Sequence, residues 1–167
     1  MKLTQYSNYA LRTLMFANLH ADRLCQCQEV ADAFQISKAH LVKCVHQLGQ
    51  WGFVHSVRGR NGGFRLARPA DEITVGAVIR KTEDSLDLVE CFNRETNSCP
   101  LITECKLNQL LTRAMTAFMT EMDRVTIADI TANQKQLLAL LKPYIDSRVC
   151  RKKITPRPSK PDQTDSW

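Results

Sequence analysis

The chain has 167 residues, of which 44% are hydrophobic, and it carries a net charge of +6 at neutral pH. This length and composition suit one compact domain, with an appendage at most and a core large enough to fold unaided. No apolar run approaches the roughly 18 residues that a membrane-spanning helix needs, so we expect no membrane partner.

Three helices are predicted in the first fifty residues. Apolar residues at helical spacing predict a helix over 4–19, and Thr4 is placed to cap its start. A short helix over 28–34, a tight connector ending at Ser37 and a helix over 38–50 follow, and Ser37 is a natural N-cap. The expected buried stripe of the third helix consists of Leu41, Val45 and Leu48.

A hairpin and a further helix come next. Alternating residues predict strands over 53–57 and 64–66, joined by the glycine-rich turn 58–63. Thr74 then caps a helix over about 75–83. Residues 91–105 contain asparagine, serine and proline and are expected to be irregular.

The last third of the chain predicts a long helix, one more helix and a tail. The long helix covers about 106–124 and carries an apolar stripe suited to a partner helix. The stripe consists of Leu107, Leu111, Ala114, Phe118 and Met122. One more helix starts at Thr126, runs to about Leu141 and is ended by Pro143. The basic, proline-rich tail after it is expected to be disordered.

Two short helices with a three-residue turn, followed by a glycine-rich hairpin, predict a mainly α fold with a winged helix-turn-helix. The second helix of such a unit enters the DNA major groove, and wing arginines enter the minor groove. Charge agrees, because residues 1–70 hold nine Lys or Arg against three Asp or Glu. The predicted DNA contacts are Ser37, Lys38, His40 and Lys43 on the helix and Arg58, Arg60, Asn61 and Arg65 on the wing.

An alternative interpretation of Asn61 is that it only completes the turn and does not contact DNA. The whole unit also has an alternative, a helical hairpin with a β-ribbon and no role in nucleic-acid binding.

Seven cysteines are many for a chain expected in the cytoplasm, since no apolar signal sequence follows Met1. Disulfides are disfavoured there, so clustered thiols favour metal binding or redox chemistry. Cys91, Cys99 and Cys105 lie on one polar loop, and thiolates are the ligands of iron–sulfur clusters. Cys105 starts the long helix, whose positive end favours thiolate.

Other readings of these three cysteines remain. A zinc site would prefer cysteine pairs about two to four residues apart and a fourth ligand nearby. A disulfide that acts as a redox switch is a second alternative. Isolated buried thiols without a metal are the third. Structural or incidental roles are expected for Cys25, Cys27, Cys44 and Cys150. None of the four histidines lies near the cysteine loop in sequence.

The sequence resembles the Rrf2 family of iron–sulfur regulators over roughly residues 1–141. The resemblance is carried by 1–4 with 8–12, by the wing 57–66, and by the cysteine motif with Pro100-Leu101 and Lys106-Leu107. It implies a homodimer on double-stranded operator DNA, with the long helix packed on its mate. It also implies a [2Fe-2S] or [4Fe-4S] cluster held by the three cysteines.

The fourth ligand differs between branches of that family. Some members use an Asp where this chain has Asn8, and others use a His shortly after the third cysteine, where this chain has Leu107. Asn8 of the partner subunit is therefore the candidate fourth ligand, with an exogenous molecule as the alternative.

The stretch from Glu90 to Leu101 is most similar to the nitric-oxide-responsive branch, which implies a repressor that releases DNA when its cluster is nitrosylated or lost. An iron- or cluster-supply-responsive repressor is the first alternative, and a small iron–sulfur redox protein is the second. No catalytic Ser/His/Asp set, phosphate-cradling loop or paired carboxylates are evident, so we expect no enzyme.

These expectations divide the chain into four parts. They are a DNA-binding domain over 1–83, a cluster-binding loop over 84–105, dimerisation helices over 106–142 and a basic tail over 143–167.

Overall fold

Helices make up most of the chain that the computed structural model describes, which comprises residues 2–93 and 95–145. In chain order the elements are α1 (Gln5–Leu19), α2 (Cys27–Phe34), α3 (Lys38–Gln50), β1 (Val54–Val57), β2 (Gly63–Leu66), α4 (Val75–Thr82), α5 (Lys106–Arg124), α6 (Ile127–Ile130) and α7 (Gln134–Ile145). Short 3-10 turns lie at Ala70–Glu72 and Glu90–Phe92. The predicted mainly α fold with a winged helix-turn-helix is confirmed.

The helix-turn-helix forms where the sequence predicts it. The backbone of Gln35 is left-handed, with φ 55°, and it ends α2 with a hydrogen bond to Ala31. Ile36 then turns into the core, and α3 starts at Lys38. Ser37 is the N-cap residue of α3 as predicted, but its side chain accepts no capping hydrogen bond. Thr4 and Thr74 do cap α1 and α4 as predicted.

The wing is an antiparallel hairpin whose inner face is covered by the helices. His55 pairs with Arg65 and Ser56 with Phe64, so Phe64 points inward while Arg65 faces solvent. Cys25, in the segment after α1, exchanges two backbone hydrogen bonds with Phe64, at 2.9 and 2.8 Å. This bridge attaches β2 of the wing to the segment between α1 and α2.

One core joins α1, α2, α3, the wing and α6. Its largest fully buried side chains include Phe16, Phe64, Leu14, Leu41, Leu48, Ile73 and Ile127. Burying each such side chain contributes about 1.5–3 kcal/mol. The predicted buried stripe of α3 is confirmed, with Val45 and Leu48 in this core beside Leu41.

The long helix α5 has the predicted bounds, and its apolar contacts with α4 lie at its C-terminal end. Its last turns lie against α4, where Phe118, Met119 and Met122 meet Val75 and Ile79. In its first turns the apolar side chains of Leu107 and Leu110 are largely uncovered, at 61% and 53% exposed. The apolar residues of α5 are therefore divided between packing against α4 and a face exposed to solvent.

The chain after Thr126 differs from the prediction of one continuous helix to about Leu141. It forms the two helices α6 and α7, and the break follows Thr131, which is buried and accepts a hydrogen bond from the Asn18 amide at 2.7 Å. Pro143 does not end α7, which continues to Ile145. Proline has no backbone N–H, so Pro143 removes one hydrogen bond from α7. The rest of the predicted tail, 146–167, lies outside the described residues.

No helix in the described ranges combines the length and apolarity required to span a membrane.

Candidate nucleic-acid interface and cysteine loop

The first turns of α3 present polar side chains to solvent while the opposite side of the helix is buried. Every one of the predicted α3 contacts is exposed. Cys44 lies on the buried side with Leu41, and burial raises the pKa of its thiol to about 11. The helix therefore offers one polar face for recognition and keeps the other in the core.

His40 is also fixed against α1. Its ring stacks on Tyr9, with centroids 6.1 Å apart and planes inclined by 18°. The Tyr9 hydroxyl donates to the Gln5 side chain at 3.1 Å. The imidazole is thereby oriented from α1, which sequence reasoning did not anticipate because stacking between helices leaves no local pattern.

The wing carries its arginines on exposed backbone. Arg58 and Arg60 lie in the turn, and Arg65 lies on the solvent face of β2. The turn is closed by a hydrogen bond from the Gly62 N–H to the Gly59 carbonyl at 3.0 Å. Across residues 2–93 and 95–145, no ion pair involves any of these arginines, Lys38 or Lys43. These cations are thus available to an external polyanion.

Two of the three predicted cysteine ligands, Cys91 and Cys105, contact the same residue, Asn108. Cys105 caps α5, because its Sγ accepts the backbone N–H of Asn108 at 3.4 Å. The side-chain Nδ2 of Asn108 donates to the Sγ of Cys91 at 3.2 Å. Cys99 is half-buried, and its backbone N–H donates to the Asn97 side chain at 3.0 Å.

The third thiol is not gathered with the other two. Within the described part of the chain, no group of three or more His, Cys, Asp or Glu is arranged to hold a metal ion. The donor chemistry nevertheless suits an iron–sulfur cluster, since Cys91 and Cys105 both contact Asn108 and Cys99 lies on the same irregular loop. Asn108 was missed by sequence reasoning, because its partner Cys91 is remote in sequence.

Asn8, the candidate fourth ligand, is exposed on α1. It lines an open groove of about 570 Å³ together with Leu11, Arg12 and Phe34. The Arg12 guanidinium lies over the Phe34 ring, 5.5 Å from its centroid. No hydrogen bond among the described residues joins Asn8 to any of the three loop cysteines.

The remaining described cysteines have environments that favour a structural role. Burial raises the pKa of Cys25 to about 11 and also raises the pKa of Cys27. Such thiols stay protonated near neutral pH, and a protonated thiol is a poor nucleophile and metal ligand.

The sequence profile of the Rrf2 family, described as an iron-dependent transcriptional regulator, matches residues 3–133. A Halalkalibacterium halodurans protein named HTH-type transcriptional regulator NsrR is 44% identical over 143 residues, covering 85% of this chain and 98% of that protein. The Bacillus subtilis protein of the same name is 41% identical over 145 residues, covering 85% of this chain and 98% of that one.

Solved structures share the fold. The Bacillus subtilis global cysteine regulator CymR superimposes with a TM-score of 0.63 and 25% identity, covering 80% of this chain and 98% of that chain. The structure of T. potens IscR, at 22% identity, superimposes with a TM-score of 0.65 over 81% of this chain and 90% of that chain.

Proposed function

The chain belongs to the Rrf2 family of transcriptional regulators, and from this membership we propose that it is a homodimeric repressor in the cytoplasm. In this proposal it binds double-stranded operator DNA and releases it in response to nitric oxide. The observation that carries the DNA-binding part is the set of exposed cations on α3 and on the wing that form no ion pair with any residue the structure describes. A small iron–sulfur redox protein, the alternative from another class, has no use for such a surface.

The DNA contacts divide by groove. In this proposal Lys38, His40 and Lys43 on the first turns of α3 would meet base edges and phosphates of the major groove, and Ser37 would meet a phosphate. On the wing, Arg58 and Arg60 would enter the minor groove, where narrow A·T tracts concentrate negative potential. Asn61 and Arg65 complete this set. Two copies would read two half-sites about 34 Å apart.

The sensing part rests on the cysteine loop. Cys91, Cys99 and Cys105 would hold a [2Fe-2S] or [4Fe-4S] cluster, and Asn8 of the partner subunit or an exogenous molecule would take the remaining position. When bound, the cluster supplies iron with which nitric oxide reacts. The donor set of three thiols on one loop supports this assignment.

Two attachments support a path from the loop to the DNA-reading elements. The Glu83 carboxylate, just before the loop, accepts hydrogen bonds from Thr4 and Ser7 at the start of α1. The last turn of α5 is attached to α4 through the ion pair of Arg80 with Asp123. A change in the loop would therefore shift α5 relative to α1 and the recognition helix packed on it, and in a dimer it would change the spacing of the two recognition helices. A strong switch needs DNA affinities of the two states to differ by several kcal/mol.

A repressor that responds to iron or cluster supply is the second candidate. The description of the family as iron-dependent favours it. The curated relatives named NsrR favour the nitric-oxide branch, which is also the branch that the sequence between Glu90 and Leu101 resembles.

The test is anaerobic purification followed by absorbance and native mass spectra, with nitric oxide titrated while DNA binding is followed. The duplex is one selected by the protein from a random-sequence pool. We expect coloured, iron-containing protein that loses DNA as nitric oxide is added. Release on iron chelation with indifference to low nitric oxide would favour the second candidate.

A variant pair sharpens this experiment. Cys99→Ala is expected to abolish the visible absorbance of the cluster, whereas Cys27→Ala, a half-buried cysteine on α2, is expected to retain it. Colour retained in Cys99→Ala would remove Cys99 from the ligand set. Wild-type protein that is colourless and iron-free yet binds its duplex normally would contradict the cluster proposal.

A further inference from the structure

Asn108 contacts two of the loop cysteines at once. Its side-chain amide donates to the Sγ of Cys91 at 3.2 Å, and its backbone N–H donates to the Sγ of Cys105 at 3.4 Å. Cys91 belongs to the 3-10 turn Glu90–Phe92, whereas Cys105 caps α5. One half-buried asparagine therefore connects two segments that are well separated in sequence.

The position of Asn108 on the helix explains why it can reach both sulfurs. It is the third residue of α5, so its backbone N–H is one of the free donors of the first turn and points at the cap residue. The side chain leaves the same turn toward Cys91. Because Nδ2 donates and carries no proton that titrates near neutral pH, the contact persists whether Cys91 is a thiol or a thiolate.

From these contacts we propose that Asn108 is a positioning residue that holds the sulfurs of Cys91 and Cys105 side by side. The loop then presents two ligands already paired, and Cys99 is the one that must approach. As regards the cluster, this inference rests on the proposed function. N–H groups directed at ligand sulfurs strengthen when the sulfur is anionic, and they are one means by which proteins set the properties of iron–sulfur centres.

Substitution with aspartate separates hydrogen bonding from packing. Asn108→Asp keeps the size and shape of the side chain but removes the donor to Cys91. A carboxylate in the first turn of a helix is favourable, so α5 is expected to form at least as well as in the wild type. Asn108→Ala removes side chain and donor together, and Asn108→Gln restores the donor on a longer stem. Gln109→Ala, at the neighbouring exposed position of α5, is the matched control.

The first measurement uses full-length, cluster-free, reduced protein and phenylarsine oxide. The arsenic(III) reagent condenses with two neighbouring thiols and releases water, and mass spectra of the digested adduct identify the thiols that it joins. We expect a Cys91–Cys105 adduct in wild type, Cys99→Ala and Gln109→Ala. We expect it to form about tenfold more slowly in Asn108→Asp and Asn108→Ala, the factor given by about 1.4 kcal/mol. Partial recovery is expected in Asn108→Gln.

The second measurement follows transfer of iron from reconstituted protein to a ferrous chelator. Faster loss is expected from Asn108→Asp than from Gln109→Ala. Wild-type rates of adduct formation in Asn108→Asp, or an adduct that joins Cys99 to one of the others instead, would overturn the proposal. The adduct assay needs neither cluster, nitric oxide nor DNA, so it distinguishes failure of this inference from failure of the proposed function.

Discussion

Glu83 and Thr4 join the end of α4 to the start of α1. The Glu83 carboxylate accepts the backbone N–H of Thr4 at 2.8 Å and the Thr4 hydroxyl at 3.0 Å. The buried Ser7 hydroxyl also donates to Glu83 and lies 2.6 Å from the hydroxyl of Thr82. The residue that precedes the cysteine loop is therefore attached to the helix that carries Asn8.

This attachment predicts a pH dependence of stability. Partial burial raises the pKa of Glu83, but the hydrogen bonds from Ser7 and Thr4 outweigh it, and the net pKa lies below the ordinary 4.5. A lowered folded-state pKa means that Glu83 stabilises the fold above the unfolded pKa. This contribution is lost as the pH falls through the lower, folded-state pKa.

We therefore expect Glu83→Gln to lower the free energy of unfolding by about 1–2 kcal/mol at neutral pH. We also expect the difference from wild type to shrink as the pH falls below about 4.5. Urea unfolding followed by circular dichroism at a series of pH values measures both. Glu72→Gln, an exposed carboxylate in the 3-10 turn before α4, is the control. A difference that grows on acidification would contradict the assignment.

Gly76 marks the closest approach of α4 to α5. A Cβ at this buried position would overlap the Asp123 carboxylate, lying 2.9 Å from its Cγ and 3.0 Å from its backbone N. Arg80 restrains the Asp123 carboxylate with two hydrogen bonds, one from Nη1 to Oδ1 and one from Nη2 to Oδ2 at 2.6 Å. Gly76→Ala is expected to destabilise the fold by about 1–3 kcal/mol, although alanine is normally the better helix former.

Gly49→Ala provides the matched control for that substitution. Gly49 also lies inside a helix, α3, but its added Cβ would meet nothing nearer than the Val54 carbonyl at 3.8 Å. It is expected to be neutral or to stabilise by up to about 1 kcal/mol. Urea midpoints of the two variants make the comparison, and equal midpoints would mean that α4 and α5 are not in close contact.

The sequence was sufficient where local signals and burial agree. The periodic stripe of α5 predicts its bounds, Lys106–Arg124, and the side chains of Thr4 and Thr74 cap helices as expected. The sequence-based prediction failed where a tertiary contact determines the local structure. The break after α6 depends on Thr131 meeting Asn18 from α1, and no pattern around Thr126 shows that partner.

The candidate site divides in the same way. The exposure of Lys38 follows from the helical spacing of buried residues in α3, and that of Arg60 follows from its place in the glycine-rich turn of the hairpin. The pairing of Cys91 with Cys105 through Asn108 depends on how an irregular loop folds onto α5, which composition and spacing do not specify. The ligand set of the three cysteines therefore stays a prediction.

The basic segment after α7 has a prediction of its own. Residues 146–167 carry the cations Arg148, Arg151, Lys152, Lys153, Arg157 and Lys160. If these cations neutralise phosphates, ending the chain after Ile145 removes that neutralisation and keeps every described residue of α7. The slope of log K against log salt concentration should then flatten by about 0.9 for each phosphate that the shortened chain leaves free. Fluorescence anisotropy with labelled duplex from 50 to 200 mM salt, a range of roughly fourfold, measures it. An unchanged slope would reject a phosphate role.

Arg60 gives the most direct test of the wing. It is exposed in the turn between β1 and β2, beside Gly59, whose φ of 117° favours glycine. An arginine inserted into a narrow minor groove gains from the concentrated potential there, so Arg60→Ala is expected to weaken operator binding by about 1–3 kcal/mol. The loss should be greater on duplexes with A·T-rich flanks than on G·C-rich ones, because only the former narrow the groove.

Lys135→Ala, which removes one exposed cation from α7, is the matched control and should change binding little. The absorbance of anaerobically purified protein is recorded for both variants. Because Arg60 lies on the wing and the three cysteines lie on the loop before α5, its replacement should leave that absorbance unchanged. If binding and absorbance fall together in Arg60→Ala, the residue acts through the fold of the sensor, and its assignment to the DNA contacts is wrong.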